Sequence, residues 1–221
     1  MKKAAKIRDW VISIGILLMS YLIVIFSFRT SPLSNILSAH DSTMFMYFGK
    51  AMNSDKTPYL DMFDHKGIFL FWIQQVASSI GGSNYSLGVW IIECLFFAIF
   101  MFFVFKICLL LTKDIVVSSV SFLLLLGTII SSFNGGNLSE EYAIVFISIA
   151  FYLFTKIIIE NKQTNFSLFL IGATGGITFF IRSNMIALWL VYCLALLVIG
   201  LVEKAIARYY GKSCLSFLAV S

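Results

Sequence analysis

The chain has 221 residues, 60% of them hydrophobic and 12% charged, with a mean hydropathy of +0.94. A soluble domain of this size cannot hide so much apolar surface, and repeated apolar runs of membrane-crossing length define an all-α, polytopic membrane bundle. The net charge of +5 fits lysines in cytoplasmic loops and gives no basis for nucleic-acid binding.

The first predicted span covers residues 10–28, after the basic start "MKKAAKIR". It is too long for a signal-peptide core and other spans follow, so it reads as an uncleaved helix. Residues 29–86 form an external first loop. Its segment 41–67 gathers four of the eleven acids, three lysines and a histidine. Met44, Phe48 and Met52 recur at helical spacing, which predicts a surface helix over 42–52. Asp41 stands at its start, placed to cap it or to lean on its N-terminal dipole. Asn53, Ser54 and Asp55 then form a turn, and Pro58 imposes an extended approach. "YLDMFDHKG" follows, carrying Asp61, Asp64 and Lys66. The apolar piece at 67–82 is too short to span comfortably and is interrupted by Gln74 and Gln75, so an interfacial helix is expected.

Five further spans are predicted at 87–111, 115–133, 142–159, 166–181 and 184–202. The tail from 209 has neither a clear helical pattern nor a polar terminus. Lys2, Lys3, Lys6, Arg8, Lys113, Lys156, Lys162, Lys204, Arg208 and Lys212 fall on one side. Only Arg29, Lys50, Lys56, Lys66 and Arg182 fall on the other. That bias puts the N-terminus in the cytoplasm. Asp41, Asp55, Asp61, Asp64, Glu140 and Glu141 then lie outside. The whole chain, 1–221, reads as one transmembrane domain.

Three outside constellations suit chemistry. In the first loop, Asp41 and the Asp61/Asp64 pair are separated by a helix and a turn, and can converge as a general base with a metal ligand or orienting group. Lys66 suits an anionic phosphate. The plain alternative is a solvated charged loop. In "NGGNLSEEYA", Ser139 or Asn137 is placed to cap the fourth span, with Glu140 and Glu141 in its first turn. That is a sufficient structural account, though the same position also aims a carboxylate outward. Arg182, in "FFIRSN", can grip a lipid phosphate with its planar fork or simply snorkel to the headgroups. Glu93 lies inside the second span, where an ionisable group is costly and invites a functional reading. The small residues of "GATGG" fit close helix packing. Cys94, Cys108, Cys193 and Cys214 show no metal or disulfide pattern.

The segment "HDSTMFMYFGKAMNSDKTPYLDMFDHKGIFLFWI" resembles the first external loop of the polyprenyl-phosphate-sugar-dependent membrane glycosyltransferases, the GT-C superfamily. This superfamily includes protein mannosyltransferases and the aminoarabinose transferase of lipid A. "NGGNLSEEYA" and "FFIRSNMIAL" are similar to later segments of one subgroup. The resemblance implies transfer of a sugar from a polyprenyl-phosphate donor to a cell-envelope glycan, lipid or protein, at the outer face of a bacterial cytoplasmic membrane. Asp41 matches the general base. Asp64 matches an acid that helps bind a divalent metal ion or positions the donor, with Asp61 close enough to replace it. Lys66 matches a lysine on the lipid-linked phosphate. Arg182 and Glu140 or Glu141 would face the same cavity. Members usually run longer, so the chain is expected to be an N-terminal portion. The rival reading is a non-catalytic transporter, flippase or accessory subunit.

Overall fold

The computed structural model describes residues 2–160 and 163–218. The side-chain surroundings of 2–10, 13, 17, 129, 130 and 203–218 lie outside the description. Among the described residues eight α-helices follow one another: α1 Lys2–Ser27, α2 His40–Met52, α3 Ile68–Gly81, α4 Tyr85–Thr112, α5 Ile115–Ser132, α6 Ser139–Glu160, α7 Asn165–Ile181 and α8 Ala187–Leu218. A 3₁₀ turn, Ser183–Ile186, precedes α8. Among the described residues there is no strand, only an isolated bridge between Pro58 and Met62. The tail without a clear pattern is helix as far as Leu218.

Among the described residues three stretches are long and apolar enough to cross a membrane: Tyr85–Thr112, Ser139–Glu160 and Ser183–Val202, with mean hydropathies of 2.8, 2.2 and 2.8. Large apolar side chains face outward along the bundle. Val116, Val120 and Leu124 on α5 and Phe166 and Phe169 on α7 are all exposed. Such a surface belongs in lipid. The chain is therefore a helical membrane protein.

The helices up to Met185 form one compact unit, and the chain from Ile186 forms a second. In the first unit α4 is central, packed by α1, α3, α5 and α6, while α7 lies on α6 and α3, and α2 on α3. Two apolar clusters fill it. One joins Val24, Phe28, Phe97, Phe100, Phe122, Phe133 and Val145. The other joins Phe45, Phe71, Ala77, Val89, Tyr142 and Ile181. The second unit carries a ring contact of its own between Trp189 and Tyr192.

Alternating helix direction brings the end of α1, α2, α3, the start of α4, the α5–α6 loop and the α6 and α7 ends that carry Ser139 and Ile181 together. Every proposed site residue lies at that end. The expected helices at 42–52 and 67–82 are present as α2 and α3. The first begins earlier, with Ala39 at its N-cap and no side-chain cap bond. Asp41 therefore does not cap α2. It sits in the first turn, where the helix dipole favours an acid.

Candidate functional site

The first loop closes on itself before α3. Asp61 accepts the Thr57 N–H at 2.8 Å and organises the turn at Pro58. Asp64 behaves differently. It is buried, accepts the Lys66 N–H at 2.8 Å, and has the Lys66 ammonium 3.9 Å away. Lys66 is buried too. Its Nζ lies 2.8 Å from His65 Nε2 and over the Phe45 ring. The two acids thus differ in place: Asp64 partners the lysine, and Asp61 shapes the turn. Tyr59 fastens the loop by donating its hydroxyl to the Lys66 carbonyl at 2.6 Å. Burial first, and the Asp64 carboxylate second, raise the Tyr59 phenol above its ordinary value. Gly67 then meets α7. Its N–H bonds the Ile181 carbonyl at 3.1 Å, and a Cβ there would strike the Phe180 carbonyl.

Arg182 follows directly after Ile181. It donates to Ser139 Oγ at 2.9 Å, to Asn184 Oδ1 at 3.1 Å, and pairs with Glu140 at 2.5 Å. Ser139 in turn donates to Glu140. The guanidinium thus ties the start of α6 to the end of α7 while staying 27% exposed. Sequence spacing does not separate Glu140 from Glu141, and the structure does. Glu140 faces Arg182 at the surface, whereas Glu141 turns inward and is buried. Neither Ser139 nor Asn137 caps α6 by side chain. Glu141 instead accepts the Leu138 N–H, the reciprocal half of a capping box.

A buried polar hub lies beneath these groups. Asn134, Gly135, Gly136 and Asn137 all have positive φ, at 45°, 92°, 92° and 55°. Asparagine and glycine are the residues that tolerate this backbone. The resulting loop drives Asn137 into the bundle, where it is fully buried. Its Oδ1 accepts from Gln74 at 2.6 Å and from Tyr142 at 2.7 Å. Its Nδ2 donates to the Ser42 carbonyl and hydroxyl at 3.1 and 3.0 Å. Its N–H donates to Glu93, which also accepts the Thr30 hydroxyl. The Glu141 carboxyl lies against that of Glu93. One asparagine thereby joins α2, α3, α4 and α6.

Asp41 adjoins this hub in the chain, since the next residue is Ser42. Its carboxylate remains 57% exposed, with His40 Nδ1 at 3.5 Å as a loose partner. So an accessible carboxylate stands on a helix whose neighbouring residue is held inside the bundle.

The hub residues Ser42, Gln74, Asn137 and Tyr142 were outside the sequence-derived site. The polar Gln74 in an apolar helix and the "NGGN" run were the available signals. Glu93 belongs to the hub as well.

A divalent metal at Asp64 fits poorly. Among the described residues no three His, Cys, Asp or Glu side chains gather as ligands, and the Lys66 ammonium already faces the Asp64 carboxylate. No step below depends on a metal.

Fold and site together define a helical membrane protein with a polar latch at one end of its bundle. A family model described as "Putative competence-induced protein Ccs4 N-terminal domain" matches residues 2–219. The chain belongs to that family. No curated protein and no solved structure matches it.

Proposed function

We propose that the protein transfers a sugar from a polyprenyl-phosphate donor to a hydroxyl-bearing acceptor at the outer face of a bacterial cytoplasmic membrane. The observation that carries this reading is Asp41, an exposed carboxylate with a loose partner on a helix that the buried hub holds in place. Asp41 takes the proton of the acceptor hydroxyl as its oxygen attacks the anomeric carbon. The carbon–oxygen bond to the donor phosphate breaks, and configuration inverts. The leaving polyprenyl phosphate needs charge stabilisation rather than protonation. Arg182, part-exposed at the same end, supplies it through its fork. Lys66 lies behind, buried, and joins only if the loop opens.

This reading includes six spans with the N-terminus inside. The shorter apolar helices Ile115–Thr128 and Asn165–Ile181, and the apolar part of α1, then cross along with the three longer ones. The rival transporter reading asks for ionisable groups along a path near the midplane. Glu93 and Glu141 instead serve the latch at the site's own end of the bundle.

The test is sugar transfer from mixed polyprenyl-phosphate sugars in membranes that hold the protein, with Asp41→Asn beside it. A general base is worth roughly a hundredfold or more. A loss of that size is expected. Transfer by Asp41→Asn at the wild-type rate refutes the assignment.

A further inference from the structure

Arg29, like Lys50 and Lys56, is a cation at this end that the proposed transfer leaves unused. It follows the end of α1, and its backbone N–H bonds the Gly135 carbonyl at 2.7 Å. Its side-chain stem lies on Gly135, where any Cβ would collide with it. The stem thus packs against the Gly135 backbone. No carboxylate among the described residues pairs with its guanidinium, in contrast to Arg182.

Two clefts meet at Arg29. One, of about 430 Å³, is walled by polar groups that include Thr30, Ser31, Ser38, Thr43, Asn84 and Ser86. Ser38 and Thr43 stand on either side of Asp41 in the chain. Asn84 and Ser86 belong to the start of α4, whose positive dipole end favours an anion. The other cleft, of about 600 Å³, sets Arg29 among the polar Ser27, Ser34, Asn35, Ser131 and Asn134, with the apolar Ile25, Phe26, Leu33 and Ile36 beside them. A phosphate held at Arg29 would thus have hydroxyl and amide groups on both sides, with apolar side chains among them in each cleft.

We infer that Arg29 binds the phosphate of the acceptor, which is a phosphate ester bearing free hydroxyls. The word acceptor rests on the transfer reading above. The phosphate site rests on the two clefts and the unpaired guanidinium alone. The cleft gives no pairing charge for a base or an ammonium. It offers hydroxyl donors and acceptors, one guanidinium fork and a helix start, which is the chemistry of a phosphate with polyol attached.

Isothermal titration of the detergent-held protein with glycerol 3-phosphate, inorganic phosphate and glycerol tests the site. Short-chain phosphatidylglycerol is titrated into nanodisc-held protein. Arg29→Gln removes the cation. Ser86→Glu places an anion in the cleft at a helix start that tolerates one, so folding is kept. Both variants are expected to weaken glycerol 3-phosphate binding tenfold or more. Arg29→Lys should retain part of it, and Lys56→Gln, which removes an exposed cation outside both clefts, should stay within twofold of wild type. Tighter binding of phosphatidylglycerol than of glycerol 3-phosphate identifies a lipid acceptor, and the reverse a soluble ester; either upholds the site. Wild-type protein that does not bind, that binds glycerol equally, or that binds equally well after Arg29→Gln overturns it. The two readings fail separately. Transfer that needs Asp41 alongside phosphate binding that ignores Arg29 removes the site and keeps the transferase. Arg29-dependent binding with transfer indifferent to Asp41 does the opposite.

Discussion

Replacing Asn137 by Ala tests whether the hub holds the bundle end together. The substitution deletes an acceptor used by Gln74 and Tyr142 and two donations to Ser42. Gln74 and Tyr142 are both buried, and only a long 3.4 Å contact between them remains to replace the lost partner. Leaving a buried donor unsatisfied costs about 1–3 kcal/mol, so two such groups cost about 2–6 kcal/mol. Alanine must also adopt the positive φ of 55° at this position, which adds about 1–2 kcal/mol. Relaxation of neighbours will recover some of this, and a net loss of about 3–5 kcal/mol is expected. Near 1.4 kcal/mol per decade, the folded-to-unfolded ratio drops by at least about a hundredfold. Unfolding of the micelle-held protein by rising sodium dodecyl sulfate measures this. The exposed Asn35→Ala serves as the surface control. A loss below about 1 kcal/mol, or one equal to that control, refutes the reasoning, because ordinary surface substitutions fall in that range.

Gly67→Ala forces a Cβ into the Phe180 carbonyl, a backbone atom that cannot swing away. It should destabilise by at least about 2 kcal/mol in the same titration. Arg182→Gln breaks a part-exposed ion pair and should cost less than about 1 kcal/mol. Yet it should lower sugar transfer tenfold or more, and equal losses in stability and in transfer would point to a merely structural arginine. Tyr59 titrates above its ordinary value because burial and Asp64 disfavour its phenolate. Its contribution is present below pH 10 and disappears as pH rises through the raised value, since the folded state then binds the extra proton. Tyr59→Phe should therefore lose less stability above about pH 10 than the wild type, and parallel curves for the two proteins would count against it.

Much of the helical layout is written in the apolar pattern. The period of Met44, Phe48 and Met52 marks α2, and α4, capped by Asn84, starts at Tyr85, two residues before the expected boundary. The site is legible at the level of residue type. Asp41, Asp64, Lys66, Glu140 and Arg182 do collect at one end. Their division of labour is not legible, because Asp61 and Asp64, or Glu140 and Glu141, differ only in what lies across from them. That depends on Gly67 reaching α7 and on Asn137 entering the bundle, contacts that join residues far apart in the chain. Gln74 shows the same limit. In the sequence it interrupts an apolar helix, and in the fold it is the partner that Asn137 requires.

The contact between Ser42 and Asn137 spans 95 residues. During synthesis α2 and α3 leave the ribosome long before the loop that fastens them. Until residue 137 arrives, Ser42 and Gln74 lack their partner. The polar end of this bundle is thus finished late, by a piece that arrives after most of the walls are standing. A nascent chain halted before that loop would hold its early helices without the keystone that aligns Asp41.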